Sequence, residues 1–346
     1  MIYIGIDISS KEFVVHAINE KKKILIKGGK ITPDKKGLKK MLDSLSKEQK
    51  LVVIEAGNQL KWLALYLKGR SDVNLHVVHP NEIKWINQSS GKTDKIDARK
   101  MAELGRGGML PRKVHIVEGP IRELRELLSA REKLMRKRVD LVNCIQGIMK
   151  QEGVRLPKGF TTLVDWEDKL QKLKVADTQK LIIKNLMTSI IALKESETEV
   201  LEKVYEIEDP RIDLLESIPA IGPMAARILL SAIDDAQRFE NKKCVAKYGA
   251  LTPRIYQSGS VTHMGRINSD GRRELRRVLL QCAHTIGRMS KNYAAKPLYD
   301  FFKKTEKKRN KKIATVAVAR KLLTTAYGVL KHGCFYEPSL LTLKVA

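Results

Sequence analysis

Four acidic residues stand where acids are costly. Asp7 ends the apolar run Tyr3-Ile4-Gly5-Ile6, and Glu55 ends another, Leu51-Val52-Val53-Ile54. A carboxylate at the end of a buried strand needs compensation, either from a divalent cation or from a cap or turn. Asp94 and Asp97 follow in Lys92-Thr93-Asp94-Lys95-Ile96-Asp97-Ala98-Arg99, at the start of a helical pattern. Three helical positions rotate a side chain by about 300°, so both aspartates project from one face, about one turn apart. Capping by Thr93 or Asp94 accounts for one acid and leaves the other unexplained. Four hard oxygen ligands suit Mg2+ or Mn2+ better than zinc. Two such ions can activate an attacking oxygen and stabilise a leaving one at a phosphodiester.

The elements that position these acids are short strands and helices. Ile2–Asp7, Phe13–Ile18 and Ile24–Lys27 read as three successive strands, with Leu51–Ala56 and Leu75–His79 as two more after helical patterns at 35–45 and 60–69. A three-stranded meander followed by helix–strand–helix–strand–helix is the order of a ribonuclease-H-like α/β fold. Actin-like kinases share that order, but they need glycine-rich phosphate loops, for which GIDISS is the one overlap, and no Walker loop is present.

From Pro120 the pattern becomes helical. Glu118–Gln151 and Asp177–Glu206 are long and amphipathic, joined across Gly153–Asp168, and fit an antiparallel or dimerising coiled coil as well as a bundle within one subunit. Beyond Pro210, LLESIPAIGPMAARILLSAI predicts helix, tight turn, helix. Such a helix-hairpin-helix frees backbone N–H groups near Gly222 for a phosphate, although a plain helical turn has the same pattern. The expected division is 1–110, 111–208, 209–334 and a tail, 335–346, of which Glu337–Ala346 reads as a loose end.

The 346 residues carry 66 lysines and arginines against 39 acids, a formal charge of +27, which points to a polyphosphate partner. Between Gln257 and Lys312 there are 15 basic residues and 4 acids. Arg272, Arg273, Arg276 and Arg277 form a helical stripe suited to DNA or RNA backbone. The four cysteines lack zinc or disulfide spacing and read as reduced core residues of a cytoplasmic protein. No uninterrupted apolar run approaches the roughly 20 residues that span a bilayer, and the start has no signal-like segment.

GIDISSKEF, VIEAGN and KTDKIDARK, in this order, resemble the DEDD motifs of the transposases of the insertion-sequence family numbered one hundred and ten, which includes the Piv-type invertases. SIPAIGPMAARILLSAI, YGALTPRIYQSGS and GRINSDGRRELRRVLLQCA resemble its C-terminal transposase domain, so the likeness covers nearly the whole chain. The resemblance implies a RuvC-like N-terminal domain, a coiled coil that mediates assembly into a dimer or tetramer, and a structured guide RNA that pairs with donor and target DNA. It also implies a serine nucleophile in a Ser-Gly motif, here Ser258. Many members carry a second serine just before it, where this chain has Gln257 and a further Ser260 two positions on, so Ser260 is the alternative. Lys92 and Arg99, flanking the aspartates, and Arg254, beside the serine motif, join Gly222 and the arginine stripe as expected nucleic-acid contacts. Two other functions fit the basic chain: a RuvC-like nuclease of branched DNA that uses water, and a catalytically silent nucleic-acid-binding protein. The intact acids speak against the last.

Overall fold

The side-chain alternation of the first 80 residues produces a sheet buried on both faces. The computed structural model describes residues 1–83, 93–258, 261–268 and 271–339. Strands β1 (Ile2–Ile8), β2 (Phe13–Asn19) and β3 (Ile24–Ile31) form an antiparallel meander, followed by helix α1 (Lys35–Asp43), β4 (Lys50–Glu55), α2 (Leu60–Lys68) and β5 (Val73–Val78). The strand order is β3-β2-β1-β4-β5, with β4 parallel to both β1 and β5. A short turn of helix, α3 (Pro80–Ile83), and α4 (Asp94–Arg106) complete the layers.

One face of the sheet turns Ile4, Ile6, Val15, Val52, Ile54 and Val77 onto Leu38 and Leu42 of α1 and Leu63 and Leu67 of α2. The other presents Val53 and Val78 to Ile83 and to Met101 of α4. Lys50, only 1% exposed, is held by Asp72 at 2.9 Å and the Glu48 carbonyl at 2.9 Å. Val114 donates to the Val77 carbonyl and carries the chain along the sheet edge to the end of this first unit, Met1–Ile116.

The second unit, Val117–Ala346, is mostly helical. Helices α5 (Gly119–Gln151) and α7 (Asp177–Glu206) run antiparallel within the chain. Arg131 and Arg138 of α5 both donate to Glu197 of α7, while Gln179 at the start of α7 donates to Glu152 just past α5. Between them a 3-10 turn, Phe160–Thr162, and α6 (Trp166–Gln171) close one end over Ile145, Met149, Ile183 and Met187.

At the other end, α8 (Arg211–Glu216), α9 (Pro223–Ile233), α10 (Lys242–Tyr248), the hairpin β6 (Pro253–Ser258) and β7 (Val261–Ile267), α11 (Arg273–Ile286), α12 (Lys296–Lys308) and α13 (Lys311–His332) follow in order. Their core includes Leu124 and Leu128 of α5 and Val204 of α7. Helix α13 is long and apolar enough, by length and composition, to cross a membrane, a property that scanning for uninterrupted apolar runs passes over. Its Ala314, Val318, Leu322, Leu323 and Ala326 lie at 0% exposure inside this core, which accounts for its composition. Tyr336, near the start of the expected tail 335–346, is anchored: its N–H donates to Ser217 Oγ and its hydroxyl to the Ala294 carbonyl.

The hairpin is the element the helical reading of this region missed. Arg254-Ile255-Tyr256-Gln257 sets two apolar residues side by side between two polar ones, so the period-two pattern that betrays a half-buried strand is absent.

Candidate active site

Asp7 and Glu55 come level because their strands are neighbours and parallel. Ile6 of β1 lies opposite Ile54 of β4, so the next residue on each strand is one of the two acids, both at the carboxyl ends of the strands. Two residues before Asp7, Gly5 points to the same face. A Cβ there would sit 2.0 Å from the Ala98 carbonyl oxygen and 2.8 Å from the Ala102 nitrogen, so the backbone of α4 rests directly on β1. Gly105, one further turn on, faces Tyr3, Leu51 and Val53. Helix α4 therefore runs opposite to β1: its last turn lies over Tyr3, its middle over Gly5, and its first turn, with Asp94 and Asp97, over Asp7. The stripe Ala98, Ala102, Gly105 is what lets the helix come this close.

The electrostatics report the same convergence. The Asp7 carboxyl is pushed up to about 6, first by burial and then by the charges of Asp94, Asp97 and Glu55. Thr93 is the cap of α4, its hydroxyl accepting from Ile96 N–H, so neither aspartate is needed for that task. Both still gain from the positive end of the helix dipole. Asp97 Oδ1 is buried with no hydrogen-bond partner, the one such buried carboxylate oxygen among the described residues. An orphaned anionic oxygen beside three further carboxylates is a donor set that fits a hard divalent cation. Among the described residues no three His, Cys, Asp or Glu side chains are drawn together tightly enough to hold an ion as they stand. The effect of Asp94, Asp97 and Glu55 on the Asp7 carboxyl is the more telling fact, because it places three further negative charges near this one group.

Sequence reasoning missed the residues that brace this end of the sheet. Ser9 Oγ accepts from Glu12 N–H and closes the turn after Asp7, and Gln59 Nε2 donates to the Ser9 carbonyl at 2.8 Å, tying the loop after Glu55 to that turn. Lys30 pairs with Glu12 at 2.6 Å, and its charge also reaches Asp94. His16, opposite Gly5 on β2, is buried and held below its usual range by desolvation. None of these has a spacing that marks it. Of the flanking basic residues, Arg99 is exposed and pairs with Glu103 at 3.5 Å, and Lys92 lies outside the described residues.

In the second unit Gly222 is the exposed cap of α9, with open space where a Cβ would stand. Pro223 follows at the first helical position, which has no N–H to offer. The far end of α9 is closed by three arginines: Arg125 donates to the Ser231 carbonyl, Arg238 to Ala232 and Ile233, and Arg211 to Asp234. These guanidinium groups satisfy the orphan carbonyls of the helix end, and their place is structural.

Ser258 is the last residue of β6, paired with Val261, and Ser260 lies outside the described residues. Arg254 is exposed on the same strand. Arg272 precedes α11 as its cap residue, with an extended ψ, and donates from its backbone to Tyr248. The expected stripe is thus broken at its start. Arg273 is exposed and Arg276 donates to the Asn268 carbonyl at 3.4 Å. Arg277 forms a two-pronged ion pair with the largely buried Glu132 of α5, which holds that carboxyl below its usual range. Arg277 therefore has a protein carboxylate against it, and the charge of Arg272 reaches Glu274, whose carboxyl burial nonetheless holds above its usual range.

A family model described as transposase matches residues 4–153, and one described as the IS116/IS110/IS902 transposase family matches residues 212–300. The transposase for insertion sequence element IS1111A of Coxiella burnetii is 23% identical, over 96% of this chain and 91% of its own length. The transposase for insertion sequence element IS1328 of Yersinia enterocolitica is 24% identical over 72% and 74%. The pilin gene-inverting protein of Moraxella bovis is 36% identical over a shorter stretch, 36% of this chain and 38% of that protein.

Proposed function

The chain belongs to the IS110 family of insertion-sequence transposases, and from that premise we propose that it is a RuvC-like DEDD recombinase that exchanges DNA strands through a serine nucleophile under the guidance of a structured RNA. DNA is the substrate of such a protein. The observation that carries the catalytic reading is the meeting of Asp7, Glu55, Asp94 and Asp97 at one end of the sheet, with Asp97 Oδ1 unpartnered.

Those four carboxylates would hold Mg2+ or Mn2+, which supplies positive charge to polarise the scissile phosphate. The chain's own residues do the rest. Gly5 and the small stripe of α4 keep the aspartates over Asp7, and the Ser9–Gln59 contact fixes the two strand ends. Ser258 attacks the phosphate, forms a phosphodiester to one DNA end and releases the other as a hydroxyl. Attack by a second strand's hydroxyl reverses the step and frees the serine. Gly222 at the start of α9, with Arg254, Arg272, Arg273 and Arg276, and Lys92 and Arg99 beside the acids, contact nucleic-acid backbone. Assembly into a dimer or tetramer uses the α5–α7 pair, whose exposed Val139, Leu181 and Ile182 support it.

The test is to incubate protein, RNA and end-labelled DNA with Mg2+, denature, and look for label that migrates with protein. Ser258→Ala should remove the adduct while RNA and DNA binding persist, and Asp7→Asn should remove cleavage altogether. Free DNA ends from both the parent and Ser258→Ala would instead establish the water-using nuclease. Loss of the adduct in Ser260→Ala alone would move the nucleophile by two residues.

A further inference from the structure

We propose that Tyr256 is a stacking platform for an unpaired base of the DNA strand engaged by the β6–β7 hairpin. The inference rests on the reading of Ser258 as nucleophile for one thing only, the choice of DNA as the strand at this place.

Tyr256 is 60% exposed on the second residue after Arg254, and it packs against neither of the cores of its unit. An aromatic ring left in water on a strand costs solvation and has no packing task in the chain itself. The ring is nonetheless held. Its Cε2 lies 3.2 Å from the place a Cβ of residue 265 would take, so the glycine on β7 leaves a floor on which the ring rests. A ring settled across its own hairpin, with its outer side in solvent, is pre-ordered to receive a second flat surface.

The charge around it selects the ligand. Residues 253–267 contain Arg254, His263 and Arg266 and no acid, and all three basic side chains are exposed, with His263 directly opposite Tyr256 in the ladder. A flat hydrophobic face framed by cations is the pattern that binds single-stranded nucleic acid, where the ring stacks on a base and the cations meet the phosphates. Bases inside a duplex already stack on one another, so the ligand is a melted or single strand. Position 258 lies two residues along β6, about 7 Å away. A phosphate at Ser258 therefore puts the neighbouring base within reach of Tyr256.

The experiment uses the full chain carrying Ser258→Ala, so that no reaction intervenes, and a short oligodeoxythymidylate with one 2-aminopurine at its centre. Binding should quench the fluorophore. Tyr256→Leu should abolish the quench and weaken binding about ten-fold, the usual loss when an aromatic stacking partner is removed. Tyr256→Phe and Tyr256→Trp should keep both, and affinity for a blunt duplex of the same length should not change. Equal quenching by the parent and Tyr256→Leu overturns the proposal. A loss confined to the matching oligoribonucleotide overturns it too, because it assigns the platform to RNA. The serine reading is judged separately by the covalent adduct, so a protein that forms no adduct but loses its quench in Tyr256→Leu keeps the platform and loses the nucleophile.

Discussion

Asp7 is a carboxylate whose surroundings favour its protonated form, and this has a sign that can be measured. Its folded value, about 6, stands above the ordinary 3.8, so between these values the folded chain keeps a proton that the unfolded chain releases. Stability attributable to Asp7 is therefore greatest below about pH 4, falls as pH rises through about 6, and stays reduced above it. Asp7→Asn removes this burden. The variant should be more stable than the parent at pH 7 in chelator, by up to about 2 kcal/mol once the full shift is discounted for the carboxyl's partial exposure to water, and equal to it at pH 4. Denaturant melts at the two pH values measure the difference. Added Mg2+ should raise the parent and leave the variant unmoved. A gap that is the same at both pH values would mean that Asp7 is not the source.

At the scale of elements, the site depends on how closely α4 approaches β1. Gly5 has no conformational reason to be glycine, since it lies in a regular strand; it is the Ala98 carbonyl, 2.0 Å from a would-be Cβ, that excludes every other residue. Gly5→Ala must push the helix away or bend the strand, and overpacking of this kind costs on the order of 3 kcal/mol. Because Asp94 and Asp97 ride on α4, the same change should lower cleavage well beyond what the loss of folded protein accounts for. Urea titration and a cleavage rate normalised to folded protein give both numbers. A variant within about 0.5 kcal/mol of the parent would show that the helix is not seated as described. The arginines that close α9 make a contrasting case, because they are charged groups in a basic protein that each donate to carbonyls of the chain, Arg211 also pairing with Asp209.

For the molecule as a whole, the formal charge of +27 predicts an affinity ruled by salt. Binding of structured RNA should weaken roughly a thousand-fold or more between 50 and 200 mM salt if about six or more phosphates are neutralised. Arg273→Gln, at an exposed position of α11, should lower the slope of log affinity against log salt by about one, whereas Arg277→Gln should act on stability through Glu132. A flat salt response, or equal binding of heparin, would remove the link from charge to a nucleic-acid partner.

What could be read in the chain by itself was local: strands ending in acids, two aspartates one helical turn apart, two long amphipathic helices, and motifs whose order placed the protein in its family. Strand alternation and helical period are written in neighbouring residues, and the ladder and helices lie close to where those periods put them. Only the tertiary structure decided which acids meet, because Asp7 and Glu55 become neighbours through a parallel pairing of strands nearly 50 residues apart. It also decided which arginines are occupied, since Glu132 lies 145 residues from Arg277 and no spacing links them. The hairpin that carries Tyr256 and Ser258 stayed hidden for a different reason. Its apolar and polar residues do not alternate, and the pairing that defines it is made by cross-strand hydrogen bonds, to which every residue type contributes the same backbone groups.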